Sequence, residues 1–154
     1  MQRELQEILA EHPFFEGFTV EQLKFMAGCA KNVHFAAGEM IFRESTEADT
    51  FYVLRHGDVS LELRVPGKGF VVIQTLHQGD ILGWSWLFPP YQWHFDARAL
   101  GLVRATVFDA KCLRQKCEEN HEFGYQLMKR FATIMVERLQ TTRLQLLDLY
   151  GKPN

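Results

Sequence analysis

Val59-Ser60-Leu61-Glu62-Leu63-Arg64-Val65 alternates apolar and polar residues without a break, and Pro66-Gly67-Lys68-Gly69 follows it. Strict period two sends Val59, Leu61, Leu63 and Val65 to one face, the pattern of a strand with one buried side. The Pro-Gly-Lys-Gly stretch turns the chain back into residues 70–76, which makes a hairpin. Outward from it, short β-branched and aromatic runs recur between glycine-containing turns, at residues 33–36, 40–42, 51–54, 81–82, 95–99 and 102–108. With the central hairpin these are eight short strands at regular spacing, which predicts a double-stranded β-helix of the jelly-roll kind. The predicted fold class is mainly β with helical flanks.

On both sides of the roll the period changes. Leu5, Ile8, Leu9 and His12 fall at i, i+3, i+4 and i+7, an amphipathic helix ending where Pro13 disfavours α geometry at His12. Thr19 opens a second helix: with Gln22 it forms a capping box, and Phe18 with Leu23 a hydrophobic staple. Beyond the roll, Asp109 is the predicted N-cap of a short helix over 112–119, and Asn120 caps a long one running to about Tyr150. On the long helix Met128, Phe131, Met135, Leu139, Thr142, Leu146 and Leu149 follow spacings of three and four, and we assign them to a homodimer seam. Phe123, Leu127 and Ile134 form a second stripe for packing on the roll, and burial of both stripes in the chain's own core is the competing reading. The predicted organisation is one domain over 1–154, with N-terminal helices 1–32, β-roll 33–108 and C-terminal helices 109–150.

Composition narrows the function. The 154 residues are 47% hydrophobic and 23% charged, ordinary globular values that argue against disorder. A net charge of −2 speaks against a general affinity for nucleic acid or anionic membranes. Three cysteines at no framework spacing read as reduced thiols in a cytoplasm. No apolar run reaches a bilayer-spanning length, and the charged opening Met1-Gln2-Arg3-Glu4 is unlike a signal peptide. Neither Gly-x-Ser-x-Gly nor His-Glu-x-x-His occurs, Gly67-Lys68-Gly69 sits in a hairpin turn, and Cys117 with His121 lacks a third ligand. The expectation is therefore no catalytic residue, no metal site and no enzyme.

Several segments occur in a telling order: Phe14-Phe15-Glu16-Gly17-Phe18, then Ala37-Gly38-Glu39-Met40-Ile41-Phe42-Arg43-Glu44, then Ala48-Asp49-Thr50-Phe51-Tyr52-Val53-Leu54. Gly57-Asp58-Val59 and Gly79-Asp80-Ile81-Leu82-Gly83 complete the series, which resembles the cyclic nucleotide-binding domain family. Ser45 departs from it, standing where the family usually has glycine. The resemblance implies a phosphate-binding cassette opening at Gly83, of pattern Gly-Glu-x-Ala-Leu followed by Arg-x-Ala. In the family a helix N-terminus and the arginine hold the cyclic phosphate, and the glutamate accepts from the ribose hydroxyl.

Here the cassette reads Gly83-Trp84-Ser85-Trp86-Leu87-Phe88-Pro89-Pro90-Tyr91-Gln92-Trp93-His94-Phe95. Aligned without a gap, Trp84 stands at the glutamate position, Trp86 at the small alanine and Trp93 at the arginine, while Arg98 falls five residues late. A hydrogen bond to a charged group contributes about 1.5–3 kcal/mol. Losing both anchors weakens binding by roughly two to four decades. The candidate ligand-pocket residues are Gly83, Trp84, Ser85, Trp86, Leu87, Trp93, His94 and Phe95.

Three readings of the cassette compete: aromatic side chains that fill a former pocket, a cavity for a different small ligand, and cyclic AMP or GMP held by a rebuilt cassette. Aromatic walls would suit flat rings or organic cations, and Ser85 a carboxylate or phosphate. The resemblance thus implies a non-enzymatic sensor or regulatory module acting through a protein partner or an unidentified small ligand, with cyclic nucleotide as the alternative. No cofactor is assigned. Transcription factors of the family carry a helix-turn-helix segment after the long helix; with only Lys152-Pro153-Asn154 beyond it here, the expectation is no DNA-binding domain, no direct DNA binding and no membrane contact.

Overall fold

Alternation along 59–65 becomes the inner strand of a four-stranded sheet. The computed structural model describes residues 5–151, so the charged opening 1–4 and the last three residues lie outside the described residues. Its strands are β1 (Ala30–Phe35), β2 (Met40–Phe42), β3 (Thr50–His56), β4 (Val59–Val65), β5 (Gly69–Leu76), β6 (Ile81–Leu82), β7 (Asp96–Ala99) and β8 (Val103–Asp109). One antiparallel sheet has the order β1-β8-β3-β6 and the other β2-β7-β4-β5, two faces of a jelly roll. Strand β1 begins three residues earlier than the apolar pattern predicts, because Ala30, Lys31 and Asn32 pair with Phe108, Val107 and Thr106.

Before the roll lie α1 (Leu5–Ala10), a 3-10 turn at Pro13–Phe15 and α2 (Val20–Gly28); after it come α3 (Ala110–Glu119) and α4 (His121–Gly151). The helix ends follow the sequence signals. Thr19 and Gln22 make a reciprocal capping box on α2. Asp109 accepts from the Lys111 and Cys112 amides to open α3, and Asn120 accepts from the Phe123 amide to open α4. Among the described residues no helix is long and apolar enough to cross a membrane.

The apolar side chains sort into two cores. One lies between the helices and the roll and is largely phenylalanine: Phe14, Phe15, Phe18, Phe51, Phe108, Phe123 and Phe131 are all buried there. The rings of Phe51 and Phe108 stack 4.5 Å apart, and Phe131 meets Phe51 edge-on at 5.1 Å. The other core fills the roll and mixes Leu54, Leu61, Leu76 and Leu82 with Phe42, Trp93 and Phe95.

The seam expectation needs correcting at one residue. The spacing puts Phe131 on the outer stripe, yet it is fully buried against Phe14, Phe51 and Trp86. It sits four residues after Leu127 and eight after Phe123, so it continues the inner stripe as well as the outer one. Met135 is half-buried on the same core. Met128, Leu139, Thr142, Leu146 and Leu149 are exposed, and the Thr142 hydroxyl donates to the Arg138 carbonyl of its own helix.

Candidate functional site

The cassette follows β6 at a corner where the chain needs Gly83. Its φ is +100°, and a Cβ there would lie 2.8 Å from the six-membered ring of Trp93. No side chain larger than hydrogen fits without displacing that ring. Residues 85–87 form a single 3-10 turn, with Ser85 and Trp86 buried and no side-chain cap.

The three indoles go to three places. Trp93, 3% exposed, lies inside the roll flat on Phe42, with centroids 3.7 Å apart and planes within 7°. Phe95 is buried in the same core, its ring 5.8 Å from that of Phe42. Trp86 turns the other way into the helix-side core, stacked on Phe51 at 5.4 Å and edge-on to Phe131 at 5.3 Å. Trp84 is half-buried between the two, edge-on to Phe95 at 6.2 Å. Of the candidate ligand-pocket residues, Trp93 and Phe95 pack in the roll, whereas Trp86 and Leu87 serve the helical core. His94 is exposed.

Two arginines that carry no sequence signal hold this segment from outside. Arg114 of α3 donates to the Trp86 carbonyl at 2.6 Å, with its guanidinium 4.0 Å from the Tyr91 ring centroid. Arg138 of α4 donates to the Ile81 carbonyl, and its guanidinium stands 4.6 Å from the Trp84 ring centroid. Burial lowers Arg138 to about 10, opposed by Asp80 and Glu137, so it stays charged at neutral pH. Each arginine reads in sequence as one more polar residue on a helix, and only the fold brings it to the cassette.

Arg98 is accounted for on β7. It donates to Glu62 on β4 at 2.8 Å, with its guanidinium 5.2 Å from Phe70. Its strand neighbours Ala97 and Ala99 point into the roll, so Arg98 faces away from it. Among the surface clefts of the described residues, four of about 240 to 810 Å³ are lined by no residue between 83 and 95. One of about 430 Å³ runs between α4 and the corner before β6, bordered by His12, Gly79, Asp80, Arg130 and Arg138.

A jelly roll whose strand–turn–strand cassette is gripped by a long C-terminal helix defines a class of regulatory domain. Residues 32–120 match the family model for the cyclic nucleotide-binding domain, and the chain belongs to that family. It is 32% identical to a crystal structure from Geobacter metallireducens described as a cyclic nucleotide-binding protein, with a TM-score of 0.81 over 88% of this chain and 98% of that one. Two relatives come from Mycobacterium tuberculosis. The CRP-like cAMP-activated global transcriptional regulator is 26% identical over 94% of this chain, and the HTH-type transcriptional regulator Cmr is 25% identical over 77% of it. The chain spans 63% and 47% of their respective lengths.

These relatives overturn one expectation. The net charge and the few residues after α4 lead the sequence reading to exclude direct DNA binding, but the relatives are transcriptional regulators, one named for a helix-turn-helix motif. The charge of one regulatory segment does not decide whether proteins of this kind contact DNA.

Proposed function

We propose that this chain is a non-enzymatic regulatory domain whose cassette is closed by its own aromatic side chains and does not hold a cyclic nucleotide in the pose usual for the family. The supporting observation is Trp93 at the arginine position, stacked on Phe42 and filling the space against Gly83. Arg138 ties this segment to α4 through the Ile81 carbonyl and the Trp84 ring, so the chain's own side chains join the cassette to the long helix. A cAMP-activated relative makes cyclic nucleotide the reading to test against.

Thermal melting with millimolar cyclic AMP or cyclic GMP decides between them. A ligand at 100 times its dissociation constant adds about 2.7 kcal/mol, several degrees for a chain of this size. The expected result is no shift with either nucleotide. A shift of several degrees, confirmed by calorimetry, overturns the closed cassette.

The same reading takes the outer row of α4, half-buried at Met135 and exposed from Leu139 onward, as the seat of a second copy. Met135, Leu139, Thr142, Leu146 and Leu149 are spaced four, three, four and three apart, the repeat with which one helix packs along another. Leu139 is 52% and Leu149 71% exposed. Leu139→Glu is expected to turn a dimer into a monomer in sedimentation, leaving the melting temperature of the roll little changed because Leu139 is exposed and not a member of either buried core. A wild-type monomer, or an undiminished dimer in the variant, refutes the seam.

A further inference from the structure

We propose that Cys29 and Cys112 are a dithiol modification site that closes to an intramolecular disulfide in the presence of a low-molecular-weight disulfide. Cys29 is the C-cap of α2, and its carbonyl accepts from the Asp109 amide at 2.8 Å. The Asp109 carboxylate in turn accepts from the Cys112 amide at 3.3 Å, which sets Cys112 in the first turn of α3. Both cysteines thus gather around one residue at the point where β1 and β8 end their pairing, and the neighbouring Cys112 thiol helps to raise the Cys29 thiol. Both are free and only half-buried, which leaves each within reach of a small oxidant, and Cys29 also lines a cleft of about 560 Å³ with Gly28, Lys31, Thr50 and Lys111.

The chemistry runs in two exchanges. The Cys112 thiolate attacks one sulfur of the small disulfide and expels one small thiol, leaving a mixed disulfide on Cys112. The Cys29 sulfur then attacks Cys112, gives its proton to solvent and expels the second small thiol. Two protein S–H bonds are lost, one S–S bond forms, and the small disulfide is reduced to two thiols. Burial, the Cys112 thiol and Asp109 push Cys29 up to about 12, so it is a poor first nucleophile. Once Cys112 carries the mixed disulfide, its contribution to that rise is gone while burial and Asp109 still hold Cys29 up, so the second exchange relies on Cys29 lying beside the mixed disulfide. Cys117 is the internal control: burial and Glu118 raise it to about 11, and its neighbour is Gly124. The bond would join α2 to the start of α3, two residues before the Arg114 that holds the cassette.

Oxidised glutathione is added to the folded full-length chain, followed by thiol alkylation, intact mass and peptide mapping. Free thiols are expected to fall from three to one, with two hydrogens lost, no glutathione retained and residues 29 and 112 linked. Cys29→Ser should stall with glutathione on Cys112, and Cys112→Ser should slow modification of Cys29 at least tenfold. Stable glutathione adducts on the unaltered chain without a 29–112 link, a link through Cys117, or three thiols left free each overturn the proposal.

Discussion

Trp93→Ala is expected to lower the unfolding free energy by about 3–5 kcal/mol, the range for removing a large buried aromatic, and the melting temperature by roughly 10 °C. The indole is held on every side. It stacks on Phe42 in the core that also holds Phe95, and leaves no room at Gly83 for a Cβ. Its backbone is bonded at both ends to the neighbouring loop, donating to Thr46 at 3.0 Å and accepting from Ser45 at 2.8 Å. The strand framework therefore cannot collapse far into the vacated volume.

A second substitution separates packing from backbone strain. Gly83→Ala alone meets both the Trp93 ring and a φ of +100°. In the Trp93→Ala background only the conformational cost remains, about 1–2 kcal/mol. The double variant should then be less unstable than the two single losses added together, a coupling that urea unfolding resolves. A Trp93→Ala cost below about 1 kcal/mol would mean that the indole does not fill the roll, and the closed-cassette proposal would lose its support.

What the sequence discloses follows the physics of each element. Strand β4 is legible from its alternation, and β5 from the glycine turn that brings the chain back beside it, although Phe70, Val71 and Val72 on β5 are exposed. The opening of β1 is not, since Ala30, Lys31 and Asn32 have no strand signature and are recruited by their pairing with β8. In the cassette, Trp84, Trp86 and Trp93 are legible as replacements for family residues, but not their directions. A 3-10 turn places successive side chains a third of a turn apart, so Trp86 leaves for the helical core while Trp84 stays at the boundary. Phe131 satisfies the spacing of both stripes on α4, and only the position of Phe51 and Trp86 beneath it decides where it goes. Arg114 and Arg138 are harder still, because a helical arginine has no local mark that separates a solvated one from a clamp.

The outer face of β4 adds a contrast. Alternation predicts solvent exposure for Ser60 and Glu62, yet both are buried, at 1% and 5%. Ser60 lies opposite Arg98 and Glu62 opposite Asp96, so this face carries a paired polar row under long side chains. Arg98 and Arg64 both lean on the Phe70 ring, a cover that period two alone cannot foresee.

Arg98→Met is accordingly expected to destabilise the fold by about 3 kcal/mol, although methionine preserves much of the stem that covers the sheet. The cost comes from Glu62, whose side chain is 7% exposed and has Arg98 as its salt-bridge partner at 2.8 Å. Removing the guanidinium strands a carboxylate away from water, which exceeds the worth of the pair itself. The lower end of the usual range applies because the Arg98 side chain is 34% exposed and solvent screens part of the interaction. Glu62→Leu in the same background removes the stranded charge and should restore most of the loss, whereas Glu62→Leu alone leaves Arg98 free to reach solvent. Denaturant midpoints of the four proteins measure the cycle. The outcome bears on function as well as stability, since an arginine committed to Glu62 on the outer face is not available to a phosphate inside the roll. If Arg98→Met left stability unchanged while abolishing a nucleotide-induced melting shift, the guanidinium would be serving a ligand after all, and the cassette would have to be realigned to bring Arg98 into it.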